Sequence, residues 1–225
     1  MVVGAASLWG WGSTARRFAR VTSASAALEI ALGLAAVLVV GGVLNCLRLS
    51  YGPVLDAVLI VGIALTLKER HRLCARWRAR TTADCLALFP LVGMAVFLAA
   101  YLTPAAGFNW HDDLERYFSY PVRMLATGTI AGHPLGYIGA DTLGGQPFLQ
   151  EFVGAHFRIS YIASVDVGFC LLLCMAVAGF GLRPRGWGLT AVVAELLVVA
   201  INPLVVNISS VFTTALLLSG LVLLT

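Results

Sequence analysis

The chain has 225 residues, of which 60% are hydrophobic and 12% charged, with a net charge of +4 and a mean hydropathy of +0.90. Soluble domains are usually about half apolar and roughly a quarter charged, so this composition excludes an ordinary soluble globular domain. It predicts an integral membrane protein that satisfies its backbone hydrogen bonds within helices. The basic residues cluster between apolar stretches, and we expect no nucleic-acid partner.

Six apolar stretches are long enough to be membrane spans, which need about 20 helical residues. They lie near 26–47, 51–67, 85–103, 162–180, 187–206 and 208–225. We therefore predict an all-α, polytopic helical bundle that forms a single membrane domain over residues 1–225. The last stretch ends without a polar flank, so we expect the chain to be the N-terminal part of a longer protein.

The basic residues indicate the orientation of these spans. Most of the 15 basic residues lie in the first 20 residues, in the connection 68–80 or in the turn at 183–185. The positive-inside rule assigns these segments to the cytoplasm, so the chain is expected in a cell inner (cytoplasmic) membrane with a cytoplasmic N-terminus. The arginine-rich start is interpreted as a cytoplasmic flank. The segment 104–161 is then one long outer loop, periplasmic or extracellular, and loops of this length are usually functional.

Paired aspartates, Asp112 and Asp113, stand near the start of this loop beside His111. Asp112 can be the N-cap of a helix, with Glu115 three residues later, and Asp113 suits the first turn. Alternatively, the two carboxylates can hold a divalent metal such as Mg²⁺ or Mn²⁺, or one can act as a general base. His111 could assist either chemistry. Capping and catalysis are compatible, because one acid can cap while the other faces substrate.

The residues after the aspartates predict an amphipathic helix that lies on the membrane surface with its apolar side down. Its apolar positions are Leu114, Tyr117, Phe118, Pro121, Val122 and Leu125. Pro121 should weaken or kink it, and Thr127-Gly128 should end it. Gly132-His133-Pro134 with Gly136 predicts a first turn, and a second turn, at 144–147, should lead into another short helix.

Arg116 and Arg123 are about two helical turns apart and share a face of this helix. They could bind lipid phosphates as interfacial anchors, or the phosphate of a substrate. The histidines of the loop, His111, His133 and His156, match no standard zinc spacing, and surface or turn positions are favoured for them.

Four acids fall within predicted spans, where charges are costly and usually face an interior or a cavity. They are Glu29, Asp56, Asp166 and Glu195. Glu195 lies deepest and is a candidate proton-relay group, which would favour a transporter. It could equally be neutral and hydrogen-bonded between helices.

Two runs in the loop, NWHDDLERYFSYPVRMLATG from Asn109 and LGGQPFLQ from Leu143, carry a family resemblance. Together, over Asn109–Phe152, they resemble GT-C-type membrane glycosyltransferases, and more narrowly a poorly characterised bacterial group of multi-span proteins. The resemblance implies a sugar donor carried on a polyprenyl phosphate and an active site at the outer membrane face. Asp112, and then Asp113, match the acidic motif that supplies a base or metal contact. Arg116 and Tyr117 are neighbours that would face donor or lipid. The family has one span before its acidic loop, whereas three are predicted here.

The leading hypothesis is therefore a GT-C-like glycosyltransferase, or its N-terminal part, with Asp112 and Asp113 as catalytic or metal-binding acids. Its substrate-binding residues would be His111, Arg116, Tyr117 and Arg123. The alternatives are a transporter or flippase component that uses Glu195, and a non-enzymatic membrane protein whose outer loop binds a partner. Membrane lipid is an expected partner in each case.

Overall fold

The computed structural model describes residues 2–22, 25–79, 88–101, 118–132, 143–181 and 210–224, and the isolated positions 82, 86 and 193. Its helices are α1 (Val2–Phe18), α2 (Ala26–Cys46), α3 (Gly52–Lys68), α4 (Arg70–Arg78), α5 (Leu88–Tyr101), α6 (Ser119–Thr127), α7 (Gly145–His156), α8 (Leu171–Gly181) and α9 (Val211–Leu224). A 3₁₀ turn covers Ile130–Gly132, and a 3₁₀ segment (Ile159–Val165) and a π-helical turn (Asp166–Cys170) precede α8. No strand occurs in these ranges, which confirms the all-α class.

Two helical stretches among the described residues are long and apolar enough to cross a membrane. They are Ala26–Cys46 and the continuous run Ile159–Val177. Helices also occupy the predicted spans 51–67, 85–103 and 208–225, but α3, α5 and α9 have only 17, 14 and 14 residues. The predicted span 187–206 lies outside the described residues apart from Val193.

Helix α1 packs against α2 and α3 inside the bundle, which differs from the flanking position expected for the first residues. A Cβ atom added at Gly12 would collide with the carbonyl oxygen of Glu29 in α2. Trp11 Nε1 donates a hydrogen bond to Val58 O of α3 at 3.0 Å. Small residues that allow close backbone approach are typical of helix contacts within membranes. Because the small residues of α1 have low hydropathy and arginines follow them, the sequence did not predict α1 as a span.

Buried carboxylates and arginines gather at one end of the bundle, here called the arginine end. Glu29 is fully buried, and its carboxylate accepts hydrogen bonds from Arg16 Nε at 2.9 Å, Arg72 Nη2 at 3.0 Å and Arg76 Nη1 at 2.5 Å. A hydrogen bond from Arg72 also lowers the pKa of Glu69 below its ordinary value, against the opposing effect of burial. The acid near the start of the first predicted span is therefore an ion-paired tie between α1, α2 and α4.

Two described segments of the predicted outer loop, around Thr129 and Leu143, pack on the opposite end of α2, here called the loop end. Asn45 Oδ1 accepts hydrogen bonds from Ile130 N at 2.8 Å and Thr129 Oγ1 at 3.0 Å. Its Nδ2 donates to Leu143 O at 3.3 Å. One amide side chain thus holds two separate loop segments on the bundle, and in these segments the loop is structured as predicted.

The predicted helix end at Gly128 and a glycine turn at Gly144 also occur, whereas the turn predicted at 132–136 lies outside the described residues apart from Gly132. Helix α6 ends before Gly128, which has φ +75° in the left-handed region that favours glycine. Helix α7 begins after Gly144, with φ +74°. Pro121 is the third residue of α6, where its missing amide has no intrahelical acceptor, so no kink is required.

The apolar side of α6 contacts protein, not only the surroundings of the bundle. Met124 is fully buried, and Leu125 lies beside Gly154 of α7. Val122 remains exposed. Within the described part of the predicted stripe, Phe118 and Pro121 are also buried, so only Val122 is exposed there as a surface-lying helix would require.

Candidate functional site

A cavity of about 880 Å³ lies among α1, α3, α7 and the helical segment before α8. Its walls are mainly apolar and include Leu8, Val37, Leu59, Leu149, Phe152 and Phe169. Ligand cavities in proteins are typically about 300–1,000 Å³, so this one lies near the upper end of that range. Its size and chemistry suit a large apolar group.

Helix α7 forms one wall of the cavity because it lies beside α2 and not above it. Gly145, its first residue, contacts Leu38, which is about 12 Å from the end of α2 at a rise of 1.5 Å per residue. The ring of Phe148 fits against Gly41, where a Cβ atom would collide with it. Leu149, one residue further along α7, consequently faces the cavity.

The polar side chains that line this mainly apolar space include Asp56 and His156. Asp56 lies near the start of α3, and His156 is the last residue of α7, where the helix dipole favours a basic group. His156 Nε2 is 2.8 Å from Asp56 Oδ1, and the two side chains are 44% and 43% exposed. The pair is therefore accessible to a polar group at the edge of the cavity.

The chemistry of this pair follows from its hydrogen bond. With Asp56 ionised, its carboxylate can only accept, so Nε2 of His156 is assigned as the donor. In the neutral ring Nδ1 then carries the lone pair and can accept a proton from another molecule. A carboxylate that fixes the tautomer and the orientation of an imidazole is the arrangement used in general base catalysis.

Glu151 is a second unusual acid of α7. It is fully buried, and neither carboxylate oxygen has a hydrogen-bond partner in the part of the chain that the structure describes. Burial raises the pKa of Glu151 to about 9, so the group is protonated and uncharged at neutral pH. It does not line the cavity, which α7 faces through Leu149, Phe152 and Val153.

Asp166, an acid predicted within a span, has a structural explanation. Its carboxylate accepts hydrogen bonds from Phe212 N at 3.1 Å and from Thr213 N and Thr213 Oγ1, each at 2.7 Å. These groups belong to the first turn of α9, whose amides have no intrahelical acceptors. Asp166 thus caps α9 from another segment and stabilises its positive N-terminal end.

Most of the site residues predicted from the sequence lie outside the described residues. They are His111, Asp112, Asp113, Arg116 and Tyr117, together with Glu195 of the transporter hypothesis. Arg123 is described, and its Nη1 donates to Ile130 O at 3.1 Å. This bond fixes the turn after α6. It is a structural role, and it differs from the phosphate binding predicted for Arg123.

Sequence reasoning named Asp56 and His156 separately and did not join them. The two residues are 100 positions apart, and no local spacing connects an acid in an apolar stretch with a loop histidine. Within the described ranges no group of three potential metal ligands occurs. In comparisons with known proteins, no family model, no curated protein and no solved structure matches the chain.

Proposed function

We propose that this protein is a GT-C-like glycosyltransferase, or its N-terminal part, that transfers a sugar from a polyprenyl phosphate to an acceptor outside the cytoplasmic membrane. The observation that supports it best is the apolar cavity with Asp56 and His156 at its edge. A polyprenyl phosphate combines a long apolar chain with a polar head, and this cavity offers complementary surfaces to both.

The proposed topology has the six spans predicted from the sequence, joined by α1 as an additional bundle helix. In this topology the arginine end faces the cytoplasm, in accordance with the positive-inside rule. The loop end then faces outward, and the cavity edge opens toward the side on which the sugar is transferred. Asp112 and Asp113 belong to the predicted outer loop 104–161. They are proposed as the acidic catalytic or metal-binding residues of the transferase.

The transporter alternative depends on acids that are free to exchange protons. Among the described candidates, Asp166 has three donors on α9 and Asp56 has His156. Neither is an isolated intramembrane carboxyl, so these two acids give no support to the transporter. Glu195 keeps its role as the residue that tests the alternative: Glu195→Gln should abolish ion-coupled uptake if the protein is a transporter.

The lipid-binding part of the proposal is tested in the intact protein with radiolabelled polyprenyl phosphate. Leu59→Trp would fill the cavity and should weaken binding at least tenfold. Val61→Trp is the matched control, because Val61 lies on the exposed side of the same helix and does not line the cavity. Equal binding by both variants and the parent protein would contradict the cavity as the lipid site.

Catalysis is tested by transfer of labelled sugar from a polyprenyl-phosphate donor to membrane glycans. The double variant Asp112→Asn with Asp113→Asn keeps a capping oxygen at each position and removes the charge. We expect it to fold and to lose transfer activity. Full activity of the double variant would exclude these aspartates as catalytic groups, and no transfer by the parent protein with any such donor would exclude the transferase.

A further inference from the structure

We propose that His156 is the proton acceptor of the transfer reaction and that Asp56 is its positioning residue. This role rests on the proposed function, because it assigns a step of the same reaction. Nothing in the sequence pattern indicates it, since the two residues come from an apolar stretch and from the end of a loop helix.

The first argument is the geometry of the pair. Asp56 occupies Nε2 of His156 at 2.8 Å, which leaves Nδ1 as the nitrogen that a hydroxyl group can approach. The free nitrogen is the basic one in the neutral ring. Asp56 therefore supplies both the tautomer and the orientation that a proton acceptor needs.

The second argument is the location of the pair. His156 and Asp56 line a mainly apolar cavity, yet each side chain is nearly half exposed. With an apolar chain in the cavity, the phosphate and the sugar of a lipid-linked donor would extend to this edge. An acceptor hydroxyl from the aqueous side can reach the same edge, so His156 would stand between both substrates.

The third argument is that the pair contributes little to holding the fold. Solvent-exposed ion pairs add little to stability, and α7 is already fixed to α2 by Phe148, which is fully buried against Gly41. The other polar side chains that line the cavity are Ser7, Tyr161 and Ser164, and among the described residues His156 hydrogen-bonds to Asp56. A functional role explains why a polar pair is present in this wall.

The proposed step is balanced as follows. The oxygen of the acceptor hydroxyl forms a bond to the anomeric carbon of the donor sugar, and the bond from that carbon to the phosphate oxygen breaks. The polyprenyl phosphate leaves with the electron pair of that bond. The hydroxyl proton passes to His156 Nδ1, and the resulting imidazolium is stabilised by the Asp56 carboxylate. This assignment leaves cation binding, not proton transfer, to Asp112 and Asp113.

The test is kinetics of the intact protein with a labelled polyprenyl-phosphate sugar. General base catalysis is typically worth about 10²–10⁴-fold, so His156→Ala should lower kcat at least about 100-fold with little change in KM for the donor. Because the pair is exposed, added imidazole should restore at least tenfold of the lost rate. Asp56→Asn should lower kcat by a smaller factor, and imidazole should not restore it.

His71→Ala is the control, since His71 is an exposed histidine on α4, away from the cavity. It should keep the parent rate with and without imidazole. His156→Gln keeps a polar side chain of similar size, and an unfolding midpoint equal to that of the parent protein ensures that a lost rate is not lost folding.

Three results would overturn the assignment while leaving the transferase in place. They are a rate of His156→Ala within twofold of the parent, a lost rate that imidazole does not restore, and a loss that comes entirely from a raised KM. Absence of transfer by the parent protein is a different result, and it would overturn the proposed function itself.

Discussion

Gly41 of α2 lies directly against the aromatic ring of Phe148 of α7, close enough that a Cβ atom at Gly41 would collide with the ring. Phe148 is fully buried and forms an edge-to-face contact with Phe152, which lines the cavity. The missing side chain at Gly41 thus determines how closely α7 approaches α2, and with it the shape of one cavity wall.

Gly41→Val should destabilise the protein by about 1–3 kcal/mol, the usual cost of overpacking a buried contact. The control is Gly93→Val in α5, because a Cβ atom at Gly93 meets no other atom within 4 Å. It should change stability by about 0.5 kcal/mol or less. Unfolding of the purified protein in detergent measures both, and equal effects would show that the α2–α7 contact is not tight.

Glu29→Gln should be strongly destabilising because it leaves the arginines of the arginine end without their shared carboxylate. Breaking a buried ion pair costs about 3–5 kcal/mol, and we expect about 3 kcal/mol, since the arginines keep some contact with solvent. Glu69→Gln is the comparison: Glu69 is paired with Arg17 and Arg72, whose side chains are 49% and 34% exposed, and this substitution should cost about 1 kcal/mol. Unfolding midpoints in detergent measure both changes. A larger loss of stability for Glu69→Gln than for Glu29→Gln would contradict the ion pairs of the arginine end.

Glu151 predicts an unusual pH dependence of stability. Its pKa is about 9 in the folded protein against an ordinary value of 4.5, so the folded chain binds more protons than the unfolded chain between these values. The free energy of unfolding must then fall as the pH rises through this window. Below about pH 4.5 Glu151 is protonated in both states, and it causes no pH dependence there.

Glu151→Gln should remove that decline. We expect the variant and the parent protein to differ least near pH 5 and most near pH 9, where the variant is more stable. Glu69 does not obscure the effect, because its lowered pKa makes its own contribution disappear only as the pH falls into the acid range. Unfolding midpoints from pH 5 to pH 9 test the prediction, and parallel curves would show that Glu151 has a partner in the folded state.

Local patterns predicted much of this fold. The apolar run at 26–47 predicted α2 to within one residue. Gly128 and Gly144 predicted helix boundaries, and each has the positive φ that glycine adopts readily. These predictions depend only on neighbours along the chain. The all-α class follows from the same information.

What the sequence did not predict depends on contacts between distant segments. Helix α1 has many small residues. They allow close packing only against a partner helix, as where Gly12 lies against the backbone of Glu29. The sequence did not distinguish His156 from the other loop histidines, because only the position of α7 places it beside Asp56. Hydropathy does not report either relationship, because it sums side chains along one segment and contains no information about the partner surface.

Asp166 gives a last prediction, on the role of an acid inside an apolar helix. Asp166→Ala would leave Phe212 N, Thr213 N and Thr213 Oγ1 without their acceptor, and unsatisfied buried donors cost about 1–3 kcal/mol. Asp166→Asn keeps one carbonyl oxygen for the same donors and should cost less than the alanine variant. If Asp166 does not cap α9, the alanine and asparagine variants should be equally stable. Unfolding midpoints of the two variants in detergent therefore test the capping role.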